Sequence, residues 1–226
     1  LLTSTVGSHS IFLGAGATVS GREFGNREVN DPPTVTAPST ASTDEDTSLA
    51  FGMNAISISD PDAGANDVEV VLTATNGTAT LSQTTGLMFS SGANGTSSMT
   101  FTGTIPNINA ALNDLLFDPT TNFNGAAFLN VSVDDLGNTG FGGPLFDSAQ
   151  VSITVNAVND APILTVPGGV TLNEDGSVVL GAITVADDDI GAGNAEVTLS
   201  VSDGILTLPS TTGLSFSTGS NGAVSY

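Results

Sequence analysis

The chain has 226 residues, a formal net charge of -21 and no Cys, and its only basic side chains, Arg22 and Arg27, precede residue 29. That excludes recognition of nucleic-acid phosphates, salt bridges within the segment from Val29 onward, and disulfide or thiol chemistry. With one His, one Tyr, no Lys and no Trp, no nucleophile–base pair is left outside carboxylates, and paired acids lack the aromatic platforms that sugar sites lean on, so the chain is read as a non-enzyme.

The sequence opens on Leu1-Leu2 with no Met and no basic leader, and reads as a piece of something longer. No apolar run reaches the roughly 18 residues of a membrane span. The stretch "SHSIFLGAGATVSGREFGNREV" within residues 1–28 is similar to the closing strands of B-type, transthyretin-like repeats of bacterial surface proteins, which end near G-x-x-F-G-N. That implies a different β-domain over 1–28. "LGAGA" inside it has no strand–loop–helix context and is not a nucleotide loop.

From residue 29 the chain repeats itself. "VNDPPTVTAP" (29–38) faces "VNDAPILTVP" (158–167), and "STDEDTSLAFG" (42–52) faces "TLNEDGSVVLG" (171–181), at a shift of 129. After a two-residue deletion the shift is 127, and "TTGLMFSSGANG" (84–95) faces "TTGLSFSTGSNG" (211–222). The domain reading is a complete repeat over 29–157 and a second over 158–226, which lacks counterparts of 100–157.

Within the complete repeat, period-two alternation and turn punctuation predict strands over 47–51, 55–59, 69–75, 78–81, 87–90, 98–102, 127–133 and 149–155. "IPNINAALNDLL" (105–116) differs. Pro106 stands near a helix start, and Ile108, Ala111, Leu112 and Leu115 recur at helical spacing, so one short helix is expected, with Asp114 and Asp118 at or beyond its end. The fold class is all-β: tandem antiparallel sandwiches of Ig-like or cadherin-like type, with one short helix in the complete repeat.

The acids gather where the repeats meet. Asn30-Asp31 and Asn159-Asp160 stand in the linkers, and Asp60-Pro-Asp62-Ala-Gly64-Ala-Asn66 reads D-x-D-x-G-x-N. Alternate oxygens around a Gly-containing turn can face one point, as a hard cation with six to eight oxygen ligands requires. "DPDAG" is equally an ordinary turn sequence, and Glu45 and its counterpart Glu174 read equally as strand-end charges.

These residues resemble the cadherin repeat and its bacterial cadherin-like relatives: D-x-D-x-G-x-N, the early strand Glu, an Asp closing the penultimate strand, and the N-D-x-P linker. The resemblance implies Ca2+ between successive domains. At the junction near 158 it implies Glu45, Asn156, Asn159, Asp160, Asp187 and Asp189 as ligands. At the junction near 29 it implies Asn30, Asp31, Asp60, Asp62 and Asn66, with Asp135 or Asp134 from "SVDDLGN". The pattern departs from that family in three places. The linker Asn156-Ala-Val-Asn-Asp-Ala-Pro162 carries fewer carboxylates, "NINAALNDLLFDPTTNFNG" (107–125) stands in place of L-D-R-E, and the second repeat slips by one to Gly193-Asn194.

The function implied is a calcium-stiffened extender or adhesion module of a large extracellular, surface-located bacterial protein, its partners being neighbouring repeats. The alternative is a subunit of an extracellular fibre in which copies exchange strands.

Overall fold

Alternating apolar residues dictate the long strands, and Gly, Asn and Asp the turns between them. In a computed structural model that describes residues 28–53 and 55–222, the chain divides into two compact units with the boundary between Val158 and Asn159. Of the stretch read as an earlier domain, residues 1–27 lie outside the described residues.

The first unit runs through β1 (Thr34–Thr36), β2 (Thr40–Asp44), β3 (Leu49–Ala50), β4 (Ser57–Ser59), β5 (Asp67–Thr75), β6 (Gly77–Thr80), β7 (Met88–Ser91) and β8 (Ser98–Thr104). It continues through α1 (Ile105–Leu112), β9 (Leu116–Pro119), β10 (Gly125–Asp134) and β11 (Phe146–Asn156). Six strands form one sheet in the order β2-β11-β10-β5-β8-β7, antiparallel except where β2 runs parallel to β11. β3-β9-β6 form a second sheet and β1-β4 a separate pair.

The inward positions follow period two. Val68, Val70 and Leu72 of β5, Met99 and Phe101 of β8, Leu129, Val131 and Val133 of β10, and Val151, Ile153 and Val155 of β11 are all buried. They share one core with Ala79 and Phe117 of the smaller sheet and Ile108, Ala111 and Leu112 of α1. The all-β class with one short helix is as the alternation and the Pro106 signal indicate.

The helix is shorter than its apolar spacing suggests. Pro106 fits its first turn, where an N–H has no partner to lose. Asn113 ends it, Asp114 turns left-handed at φ 58°, and Leu115 enters the core from outside the helix. Asn109 extends α1 sideways onto β4. Its Nδ2 donates to the Ile58 carbonyl and its Oδ1 accepts from the Ile58 amide, both at 2.8 Å. The carboxamide thus satisfies both backbone groups of Ile58, whose side chain is buried. Asn109→Ala strands those two groups and is expected to lower stability by about 1–3 kcal/mol, read as a shift of the urea midpoint.

The second unit has β12 (Ile163–Thr165) paired antiparallel with β13 (Thr184–Ala186). Its register repeats that of β1 and β4 residue for residue. Leu164 faces Val185 as Val35 faces Ile58, under the shift of 129 on one strand and 127 on the other. A side-chain clamp repeats too: Asn94 holds both backbone groups of Leu81, and Asn221 holds both of Leu208. None of the second unit's described residues is buried. Ile163, Leu164, Val185 and Val197 are exposed there, and Val179 is 93% exposed.

Candidate metal centre

Three segments of the first unit meet at one end of its large sheet: residues 30–31 ahead of β1, the turn 60–63 between β4 and β5, and 135–145 between β10 and β11. Their junction is built from acceptors. Asp60 turns its carboxylate back on its own loop, Oδ1 accepting from the amides of Asp62 and Ala63 at 3.0 Å each. Such Asp-led turns compete well with regular structure because the side chain replaces a backbone acceptor. Asp62 Oδ2 accepts from the Asp31 amide at 3.1 Å, which joins the turn to the linker.

Asn30 is 4% exposed and Asp135 fully buried. Asn30 Nδ2 donates to Asp135 Oδ2 at 2.6 Å and to the Gly143 carbonyl at 2.9 Å. Two acceptors on one side fix which end of the Asn30 amide is nitrogen. Asp135 Oδ1 accepts from the amides of Gly137 (2.7 Å) and Leu145 (2.8 Å). Both carboxylate oxygens of Asp135 are therefore satisfied by protein donors, and the residue orients Asn30.

What remains decides the chemistry. Asn30 Oδ1, Asp60 Oδ2 and Asp62 Oδ1 are buried and have no hydrogen-bond partner. A buried acceptor without a donor is expensive, and a buried carboxylate oxygen more so. From Val29 to the end of the sequence no Lys, Arg or His exists to compensate. Burial raises the Asp60 carboxyl above its ordinary value of 3.8, and the neighbouring Asp62 carboxylate adds to that, against the lowering effect of the two amide bonds. Among the described residues no three Asp, Glu or His side chains form a metal cluster by themselves. The unpartnered oxygens, two of carboxylates and one of an amide, are hard donors of the kind Ca2+ takes and not the nitrogen and sulfur donors that zinc takes.

No protein-family model matches this chain, and no curated protein does. The site therefore stands on its own geometry.

The other candidates fall in different places. Asn66 is exposed on the same loop, its amide bonded to the Ala63 carbonyl at 3.0 Å. Asp134 lies on the opposite face of β10 from Val133 and Asp135, its Oδ1 accepting from the Leu136 amide at 2.8 Å. Glu45 is buried at the far end of β11. Its Oε1 accepts from the Val158 amide at 2.6 Å and its Oε2 from Asn124 Nδ2 at 3.5 Å. Exposed Asn156 donates to Asp44 at 3.0 Å.

In the second unit the leading turn reproduces the first. Asp187 Oδ1 accepts from the amides of Asp189 and Ile190 at 3.0 Å each, and the Asp160 amide donates to Asp189 Oδ2. Exposed Asn159 donates to the Asp160 carbonyl at 2.9 Å. The Asp60–Asp62–Asp31 arrangement thus recurs at Asp187–Asp189–Asp160.

Sequence reasoning passed over the segment 136–145. Thr139 Oγ1 donates to the Asp62 carbonyl, and Asn138 Nδ2 to that of Asp67 at 2.6 Å. The available signal was four glycines in "LGNTGFGGPL", a density that marks demanding backbone.

Proposed function

We propose that this chain is a calcium-binding extender segment of a large extracellular bacterial protein, with Ca2+ taken up at the head of successive cadherin-like units and limiting the bending between them. The observation that carries the reading is the trio of buried, donorless oxygens on Asn30, Asp60 and Asp62 in a chain without cations of its own beyond residue 28. Recurrence of the same acidic turn at Asp187 and Asp189 supports a device repeated along an array. Bound calcium replaces the missing donors and neutralises the Asp60–Asp62 pair. Extracellular modules bind it at about 10⁻⁴–10⁻³ M, so the segment stiffens outside the cell. Its work is mechanical, holding other parts of the parent protein at a distance, and its partners are neighbouring repeats. No helix among the described residues is long and apolar enough to cross a membrane.

Small-angle scattering tests this. The radius of gyration and maximum dimension are expected to grow in calcium and to return in chelator, with magnesium ineffective because it demands a tighter octahedral shell. Unchanged dimensions in all three conditions sink the extender.

A second reading, the strand-exchanging fibre, is favoured by one observation. Ile163, Leu164 and Val185 are exposed in the second unit, whereas Val35 and Ile58, which align with Leu164 and Val185, are buried in the first. A concentration series in the same scattering experiment separates the two: polymers growing with concentration, with or without calcium, favour the fibre.

A further inference from the structure

We infer that the cation at the head of the first unit is a clasp internal to that unit, closed by the loop 136–145, and that it needs no residue of the following unit. This rests on the acidic turn binding a divalent cation, and it adds to that reading the loop that closes the site. The three donorless oxygens come from residues 30, 60 and 62, and the residue that aims Asn30 is Asp135. All of them belong to the first unit.

The loop is tied to both halves of the donor set. Phe141 bridges to Val29, its carbonyl accepting from the Asn30 amide at 3.3 Å and its amide donating to the Glu28 carbonyl at 2.8 Å. Thr139 donates to the Asp62 carbonyl. At Gly140 φ is +136°, and a Cβ would stand 2.3 Å from the Asn30 nitrogen, so only glycine lets the loop lie this close. The loop therefore buckles the segment before β1 onto the acidic turn. A cation seated on Asn30, Asp60 and Asp62 joins two segments that are far apart in sequence, and the loop tied to both can open only when that cation leaves.

Amide hydrogen exchange on the full chain, with calcium alone as the probe, tests the clasp. At free calcium near ten times the dissociation constant, amides of 28–31 and 136–145 are expected to exchange about tenfold more slowly than in chelator. Asn30→Ala and Gly140→Ala should each remove that slowing, with circular dichroism checking that the strands persist. The double variant Asp187→Asn with Asp189→Asn should leave it intact. If the slowing disappears in that double variant, or if calorimetry shows calcium bound while the loop exchanges at its chelator rate, the clasp is wrong and the extender reading survives. If calorimetry detects no calcium binding at all, both fall.

Discussion

Asp60→Asn is expected to raise the melting temperature in chelator and to abolish most of the rise that calcium gives the parent chain. The first half follows from the sign of the Asp60 shift. Its folded-state carboxyl titrates above the ordinary 3.8, chiefly through burial and further through Asp62. A group whose pKa is raised on folding contributes stability below its unfolded pKa, and that contribution is lost as pH rises through the folded value. At neutral pH the metal-free unit therefore carries an ionised Asp60 it would rather keep protonated. Asn has the shape of the protonated acid and keeps an oxygen for the Asp62 and Ala63 amides, so the penalty goes. The gap between parent and variant should close as pH falls toward the carboxylate range.

The second half follows from mass action. Calcium at about a hundred times its dissociation constant stabilises the parent by roughly 2.7 kcal/mol, on the order of 10 °C for a unit of this size. An Asn at position 60 removes a full charge from the ligand set and should forfeit most of that. Differential scanning calorimetry of both chains, with and without calcium, reads both halves together. A variant that melts lower in chelator, or that keeps the full calcium gain, shows that Asp60 is not a ligand.

Period two made β5, β8, β10 and β11 legible because each sets one face on the core. β1, β2 and β9 were not legible, for different reasons. β2 (TASTD) has no fully buried residue, and it lies parallel to β11 with only Ala41 packed against the core, so its alternation is weak. β9 follows Leu115 so closely that its Leu116 and Phe117 merge with the helical spacing of Ile108, Ala111 and Leu112. The helix stops at an asparagine and a left-handed aspartate, which hydrophobic periodicity does not register.

The acidic turn was legible, since alternation of oxygen donors around Gly64 is local. Parity along β10 separates Asp135 from Asp134. Ala127, Leu129, Val131 and Val133 face inward, so the next inward position is 135. The resemblance implies Glu45 at the junction near 158, and Glu45 engages the Val158 amide 113 residues away. The glycines of 137–143 mark demanding backbone, but nothing local in them says that the loop closes over Asn30.

Asp135→Ala is expected to be the most damaging single change at the site, and to damage the chain in chelator and calcium alike. The carboxylate is fully buried and takes three hydrogen bonds, from the Gly137 amide, the Leu145 amide and Asn30 Nδ2. Alanine leaves all three donors short of a partner in a place water does not reach. At about 1–3 kcal/mol for each stranded donor, partly relieved by local rearrangement, the loss should be about 3–5 kcal/mol. Against the roughly 5–15 kcal/mol that holds a domain together, that is a large share. Urea denaturation should show the midpoint falling strongly in both conditions, because the loop 136–145 loses its anchor and Asn30 its orientation. Asp135→Asn, which keeps one acceptor for the two backbone amides, should fall between the parent and alanine. The contrast with Asp60 is the informative part. A ligand's loss raises the metal-free chain and removes the calcium response, whereas loss of the residue that positions the ligand lowers both. A urea midpoint for Asp135→Ala equal to the parent's would mean that the three bonds are replaced at no expense, and that Asn30 is held in place by something other than Asp135.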